Sequence, residues 1–322
     1  MPTLMEERAL VPEVFFTSDS LGSPRALTVA DKLLVVSDGL GRFPLWIVSR
    51  ESPRRYLPFG RRGAGPAEIR APWSLTAEPS GNAVWVYDMG MRRMSRVEVS
   101  TDRAAVTRTF LVNVPQPVTG PEFLSDSTFA SPGFLTAGRV AEFDTQGNPV
   151  RSFGPVPPGD PDIPTHVRQH AYQSTLRVKP DRSRVVLATR HADQLEIYGA
   201  GGELLRRVKG PRDFTPAYES KRRGVQEQMV SGPDLRFGYI SLAVTDRWII
   251  ALYSGHSRRE RPGWANYGDV LHVFDWDGTL RRVLPLSFPS LAIAVDPDGG
   301  TLYATRENPV PAVLRYPLPL PR

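Results

Sequence analysis

The residues most able to do chemistry in this chain are few and stand apart from one another. His166 and His170 are four positions apart, a spacing that puts two imidazoles on one helical face. Their neighbours Pro161, Ile163 and Pro164, with no Glu in an H-E-x-x-H pattern, favour a loop or short turn carrying two exposed histidines. Gly63-Ala64-Gly65 has the glycine density of a phosphate loop. A phosphate loop needs Lys-Ser/Thr and a following helix, and Pro66 with a strand follows here, so an interblade turn is the reading. Asp275-Trp276-Asp277-Gly278 starts like a calcium loop but lacks the later oxygen ligands and the twelfth-position Glu, which leaves turn chemistry. Asp38, Asp88 and Asp193 follow β-rich runs, where a carboxylate caps the turn. No Gly-x-Ser-x-Gly elbow with a matching His and Asp occurs. No catalytic, cofactor-binding or metal-ligating residue is assigned.

The elements that would carry such residues are short strands in groups of four, recurring every 40–50 residues, the period of propeller blades. Tyr239–Val244, Trp248–Tyr253, Asp269–Phe274 and Thr279–Leu284 form the cleanest group. Ser174–Val178, Arg184–Thr189, Gln194–Tyr198 and Glu203–Val208 form another, and Ser74–Ala77, Ala83–Tyr87, Met94–Val99 and Val106–Val112 a third. A weaker group spans 122–154, and the first spans 25–58. The last has three strands, Ser290–Val295, Thr301–Ala304 and Ala312–Tyr316, and Glu13–Thr17 from the N-terminus supplies the fourth. The fold expected is therefore all-β: a six-bladed β-propeller of four-stranded antiparallel blades, its ring closed by an N-terminal strand completing the last blade. It forms one domain over 1–322, with 1–12 a flexible segment.

Gly60-Arg61-Arg62-Gly63-Ala64-Gly65-Pro66-Ala67-Glu68-Ile69, then Pro72 and Val84-Trp85-Val86-Tyr87-Asp88, resembles the TolB-like and NHL-like six-bladed propellers of bacteria, with Ala67 and Ile69 where that pattern has Gly and Phe. Val273-Phe274-Asp275-Trp276-Asp277-Gly278 with Ala292-Ile293-Ala294-Val295-Asp296 is similar to a late blade junction of the same group. The resemblance implies a fold rather than a chemistry. Related propeller enzymes hold a metal in the central funnel with carboxylates, Asn or His. The innermost strands here carry Leu, Val, Ile, Ala, Ser and Thr. A metal-dependent hydrolase or lyase of the funnel is thus the alternative to a binding propeller.

Composition narrows the rest. The 322 residues are 40% hydrophobic and 23% charged, ordinary for a globular chain. The 32 prolines and 27 glycines lie scattered between apolar runs, as strand punctuation does. With no cysteine, disulfides, thiolate catalysis and Cys-based zinc sites are excluded. The N-terminus lacks the basic and apolar regions of a signal peptide, and no apolar run reaches membrane-spanning length, so the expected location is cytoplasmic, with periplasmic or membrane-peripheral placement left open.

The net charge of +6 is unevenly spread. Loops joining second to third strands, and loops between blades, share one face. They collect Arg42, Arg61, Arg62, Arg92, Arg93, Arg139, Arg190, Lys221, Arg222, Arg223, Arg258, Arg259 and Arg261, whereas the opposite face collects turn-forming Asp. The long loops 209–238 and 254–269 also lie on the basic face and mix Arg with aromatics, the residue types of interface hot spots. Glu219–Met229 is expected as a short helical insertion. Arg190, Tyr218, Arg222, Arg223, Arg258, Arg259, Arg261, Trp264 and Tyr267 are the expected contact residues for a protein partner with an acidic surface, a membrane protein complex included. Nucleic acid is disfavoured because the charge is modest and no recognition motif is present.

Overall fold

The computed structural model describes residues 8–320. Its strands form six four-stranded antiparallel sheets, the blades of a six-bladed β-propeller, and the chain divides into two compact units of three blades each.

The terminal unit comprises Leu10–Asn113, Thr145–Asn148 and the chain from Ser287 onward. Strand β1 (Glu13–Phe16) joins the last blade. The next blade is β2 (Pro24–Ala30), β3 (Leu33–Asp38), β4 (Leu45–Ser49) and β5 (Tyr56–Phe59), followed by β6 (Pro72–Ala77), β7 (Ala83–Asp88), β8 (Arg93–Val99) and β9 (Ala104–Leu111). The middle unit holds β10 (Glu122–Phe123), β11 (Thr128–Pro132), β12 (Val140–Asp144) and β13 (Pro149–Phe153). After helix α1 (Thr165–Ala171) come β14 (Ser174–Val178), β15 (Arg184–Thr189), β16 (Gln194–Gly199) and β17 (Leu204–Lys209). A two-stranded hairpin, β18 (Glu219–Arg223) and β19 (Gln226–Val230), precedes β20 (Tyr239–Val244), β21 (Trp248–Tyr253), β22 (Gly268–Asp275) and β23 (Leu280–Ser290). In the terminal unit β24 (Ile293–Val295), β25 (Thr301–Arg306) and β26 (Ala312–Pro317) complete the last blade, and β1 pairs with β26 as its fourth strand.

Alternation along the middle strands explains why they read as unbroken apolar runs. In β3, Leu34 and Val36 pack toward the last blade, among Phe15, Phe16, Tyr303 and Val313. Leu33 and Val35 pack the other way, among Leu75, Val84 and Val86. A strand between two blades has no solvent face, so both halves of its period-two pattern are apolar. Outer strands such as β9 and β17 are open on one side and carry exposed, charged residues.

Three local expectations are corrected. Glu219–Met229 is not helical: it forms β18 and β19, with Arg223 opposite Gln226. Gly224 at the turn has φ +63°, a conformation suited to the first central position of a type II′ hairpin turn, whereas mid-helix glycine costs about 1 kcal/mol relative to Ala. His166 and His170 lie on helix α1 and are half-buried instead of exposed. The expected strand Ser290–Val295 breaks, because the N–H groups of Leu291 and Ala292 are taken by the Thr305 hydroxyl, both at 3.1 Å. Of the expected flexible segment 1–12, residues 1–7 lie outside the described residues, and the Leu10 carbonyl accepts a bond from Ser287 N–H at 3.2 Å. Among the described residues no helix is long and apolar enough to cross a membrane.

Candidate docking surface

In the middle unit three connections open on the same side of their blades: the α1 segment, the β18–β19 hairpin and the β21–β22 loop. The hairpin rests on the helix. His166 Nε2 lies 3.0 Å from the Glu227 carbonyl, and Tyr218 and Met229 pack on Ala171, Tyr172 and Ala192. His170 stacks on Phe134 with ring centroids 4.3 Å apart, and burial, then the neighbouring His166, lowers its pKa. His166 thus braces the hairpin, while His170 packs on Phe134. Among the described residues no group of three or more His, Asp or Glu side chains is disposed to hold a metal.

Raised in this way, the hairpin presents its tip to solvent. Val225 is 89% exposed, and Arg222 and Arg223 beside it are exposed with no ion-pair partner among the described residues. Arg222 sits across from Glu227, whose carboxylate is taken by the Ser220 hydroxyl at 2.8 Å. Farther down, Glu219 pairs with Lys221 at 2.9 Å.

The long loops meet through main chain: Arg236 bridges Ser257, Phe237 N–H bonds the His256 carbonyl at 2.9 Å, and Arg259 N–H bonds that of Pro233 at 2.8 Å. Their charges, however, largely cancel at home. Arg259 holds both Asp234 oxygens, at 2.7 and 3.0 Å. Arg236 holds both Glu260 oxygens at 2.6 Å, and that hydrogen-bonded pairing brings the Glu260 carboxyl down to about 2. Arg261 pairs with Asp269 at 2.7 Å. Arg190 and Arg258 lie over the Phe237 ring, at 5.6 and 5.7 Å, and Arg258 also bonds Ser231 Oγ at 3.1 Å. Trp264 is half-buried against Tyr267, which is itself buried. Of the nine expected contact residues, then, Arg222, Arg223 and Arg258 offer charge outward and Arg259 is exposed but paired. Arg190, Tyr218, Arg261 and Trp264 are partly covered, and Tyr267 is inside.

Several arginines of the expected basic face are clamps. Arg139 is 3% exposed; it bonds the Tyr172 carbonyl and Ser174 Oγ at 2.7 Å, Thr189 Oγ1 at 2.9 Å and Glu196 at 3.2 Å. In the terminal unit Arg62 bonds the Asp38 and Gly41 carbonyls, both at 2.7 Å, and buried Arg93 bonds those of Gly65 and Glu68. A guanidinium with five donors suits carbonyl-rich junctions between blades. The expected turn-capping aspartates have the same structural character. Asp38 accepts from the N–H groups of Gly22, Ser23, Leu40 and Gly41 and from Trp46 Nε1. Burial pushes its pKa up, but the four backbone donors outweigh that and hold it below the ordinary carboxylate value.

Sequence reasoning missed Val225, placed in an assumed helix, and Trp73, which is 47% exposed. The Arg-Arg-Gly-Val run was the available signal for the first. For the second, the signal was a Trp directly after the proline that opens its strand.

The sequence signature of a family described as TolB-like 6-blade propeller-like matches residues 5–298. Among curated proteins no relative is matched by sequence. Among solved structures, the chain is similar to the β-propeller domain of Cps50 (Swd1) from Myceliophteria thermophila, at 13% identity and TM-score 0.50, covering 92% of this chain and 96% of that one. It is also similar to hydrazine synthase of Kuenenia stuttgartiensis, at 14% identity and TM-score 0.52, covering 93% and 97%. At such identities the likeness is one of fold.

Proposed function

The chain belongs to the TolB-like 6-blade propeller-like family, and on that footing we propose that it is a non-catalytic binding propeller, an accessory subunit docking onto an acidic surface of a larger protein assembly, a membrane-associated one included. The observation that carries this reading is the β18–β19 tip, where exposed Arg222 and Arg223 lead into an 89%-exposed Val225 on a hairpin braced by α1. An apolar knob beside two cations suits a partner pocket edged by carboxylates: the charges speed and orient encounter, and the buried apolar contact slows release. Arg258 extends the positive surface beyond the tip.

Affinity capture from soluble and membrane fractions, at low and moderate salt, tests it with wild type, R222E/R223E and V225D side by side. The expected result is one stoichiometric partner whose affinity falls about tenfold or more in either variant, as for loss of a hot-spot contact. A partner held equally by all three proteins would overturn the hairpin as the docking element.

A further inference from the structure

The terminal unit carries a second exposed surface that the hairpin reading does not use, and its construction is repeated in two adjacent blades. In each, an aspartate at the end of the second strand grips the segment leading into the first. Asp38 takes Gly22 N–H at 2.8 Å and Ser23 N–H at 2.9 Å; Asp88 takes Arg70 N–H at 2.6 Å and Ala71 N–H at 3.1 Å. A proline then opens the strand, Pro24 in β2 and Pro72 in β6. The next residue is bulged out of the ladder: the register slips between Pro24 and Ala26, and between Pro72 and Ser74. A bulge re-aims a side chain. Here the re-aimed residues are Arg25 and Trp73, both exposed on strands whose other residues are mostly covered.

Contacts tie Arg25 through the 38–41 turn to Arg70, three residues before Trp73. Arg25 packs on Gly39, where an added Cβ would come within 3.0 Å of its side chain. Arg62 ties the 38–41 turn to Arg70 by bonding the Asp38 and Gly41 carbonyls on one side and that of Arg70, at 3.3 Å, on the other. Leu40, on that turn, is 76% exposed. Arg42, over Phe43 at 5.3 Å, and Arg70 are exposed, with no carboxylate on either among the described residues. Three nearby acids are already engaged, Asp38 and Asp88 by backbone N–H groups and Glu307 by Ser23 Oγ and by Arg25 at 3.5 Å, while Asp19, on the segment beside Gly41, is exposed. With it, an indole, an isobutyl group and cations face outward.

The geometry points to a second binding site here, for an acidic protein segment that lays an apolar side chain on Trp73 and Leu40 and its carboxylates on Arg25, Arg42 and Arg70. Charge complementarity selects the occupant. A neutral sugar needs side-chain acceptors and amides beside the ring, and Arg25, Leu40, Arg42 and Arg70 supply neither. Single-stranded nucleic acid is held on successive rings, and there is one exposed ring here. Trp with Arg is the pairing enriched in protein-binding patches.

The test uses a fluorescein-labelled octapeptide of Asp and Glu around a central Phe, read by anisotropy at low salt. A version with Lys for every acid, and an oligo-dT of similar length, serve as comparisons. The acidic peptide is expected to bind, the Lys version not. Trp73→Ala is expected to weaken binding about 30-fold, the scale of one hot-spot anchor, and Arg70→Glu about tenfold. Both variants change exposed side chains and should keep the wild-type melting temperature. R222E/R223E, on the other unit, should bind as wild type does, so loss of hairpin docking leaves this site standing and the reverse. The inference is overturned if the acidic peptide does not bind, or binds no better than its Lys version. It is equally overturned if Trp73→Ala and Arg70→Glu bind as wild type does, or if oligo-dT binds more tightly through Trp73.

Discussion

Mild acid should destabilise the middle unit through two histidines held neutral inside it. His191 is buried against Phe237 with Nδ1 3.1 Å from the Ala171 carbonyl; burial first, then the adjacent Arg190, bring its pKa down to about 3. His272 stacks on Tyr253 at 4.5 Å with Nδ1 3.3 Å from the Tyr239 hydroxyl, and burial brings it down to about 4. In the unfolded chain both titrate near 6.5. Both folded values are depressed, so as pH falls below 6.5 the unfolded state takes up two protons that the folded state refuses, and stability declines until about pH 4 to 3. At pH 5 each site costs RT ln(1 + 10^1.5), about 2 kcal/mol, so the pair costs about 4 kcal/mol relative to pH 7.5. For a unit of this size that lowers the melting temperature by about 8–16 °C. His170 and His256, also lowered by burial, act in the same direction. Asp275 is held below its ordinary value and titrates beneath this window, whereas burial raises the Asp193 carboxyl, whose protonation in the folded state offsets part of the loss. Thermal melts by circular dichroism from pH 7.5 to 5 read the wild-type slope, and His272→Phe, which keeps the stack on Tyr253, should lose about half of the pH-dependent drop. A wild-type melting temperature flat across this range, or a His272→Phe slope equal to wild type, would refute the reasoning.

Two further perturbations follow from buried polar contacts. Arg139→Met takes the donor from the Tyr172 carbonyl and the Ser174 and Thr189 hydroxyls while Glu196 keeps Arg207 at 2.8 Å and the Tyr198 hydroxyl at 3.1 Å, and should cost about 1–3 kcal/mol in urea unfolding; adding Glu196→Gln should reveal a coupling of about 1 kcal/mol. Asp38→Ala strips one acceptor from four backbone N–H groups and the Trp46 indole, and should cost about 3 kcal/mol or more by the same measurement, with Asp38→Asn between it and wild type.

Blade strands were legible because a strand between two blades must be apolar on both sides and turns sharply at each end. Leu33–Asp38, Ala83–Asp88 and Trp248–Tyr253 announce themselves that way. The closing pairing was legible by counting, since the last group lacked a strand and Glu13–Phe16 was left over. The hairpin at 219–230 was not, because it is polar on both faces and packs on a helix rather than inside a sheet, which leaves no alternation to read. Nor was α1, whose seven residues carry no side-chain cap. Exposure of Trp73 and Arg25 turns on a one-residue slip in register, and such a slip moves a side chain to the other face while leaving composition unchanged.

The candidate surface was half legible for a related reason. Sorting cations by loop type identifies where they emerge but not what meets them, since the partners are distant in sequence: Arg259 with Asp234, Arg261 with Asp269, Arg139 with Ser174 and Thr189. Once the clamps and pairs are set aside, few cations of the expected basic face remain to act on a partner. Exposed ion pairs contribute little to affinity on their own, so the specificity of either surface has to come from an apolar anchor with a cation beside it: Val225 with Arg222 and Arg223 on one unit, Trp73 with Arg70 and Arg25 on the other. Binding at either should therefore weaken with salt yet persist at moderate ionic strength, whereas a purely basic rim would release its partner altogether.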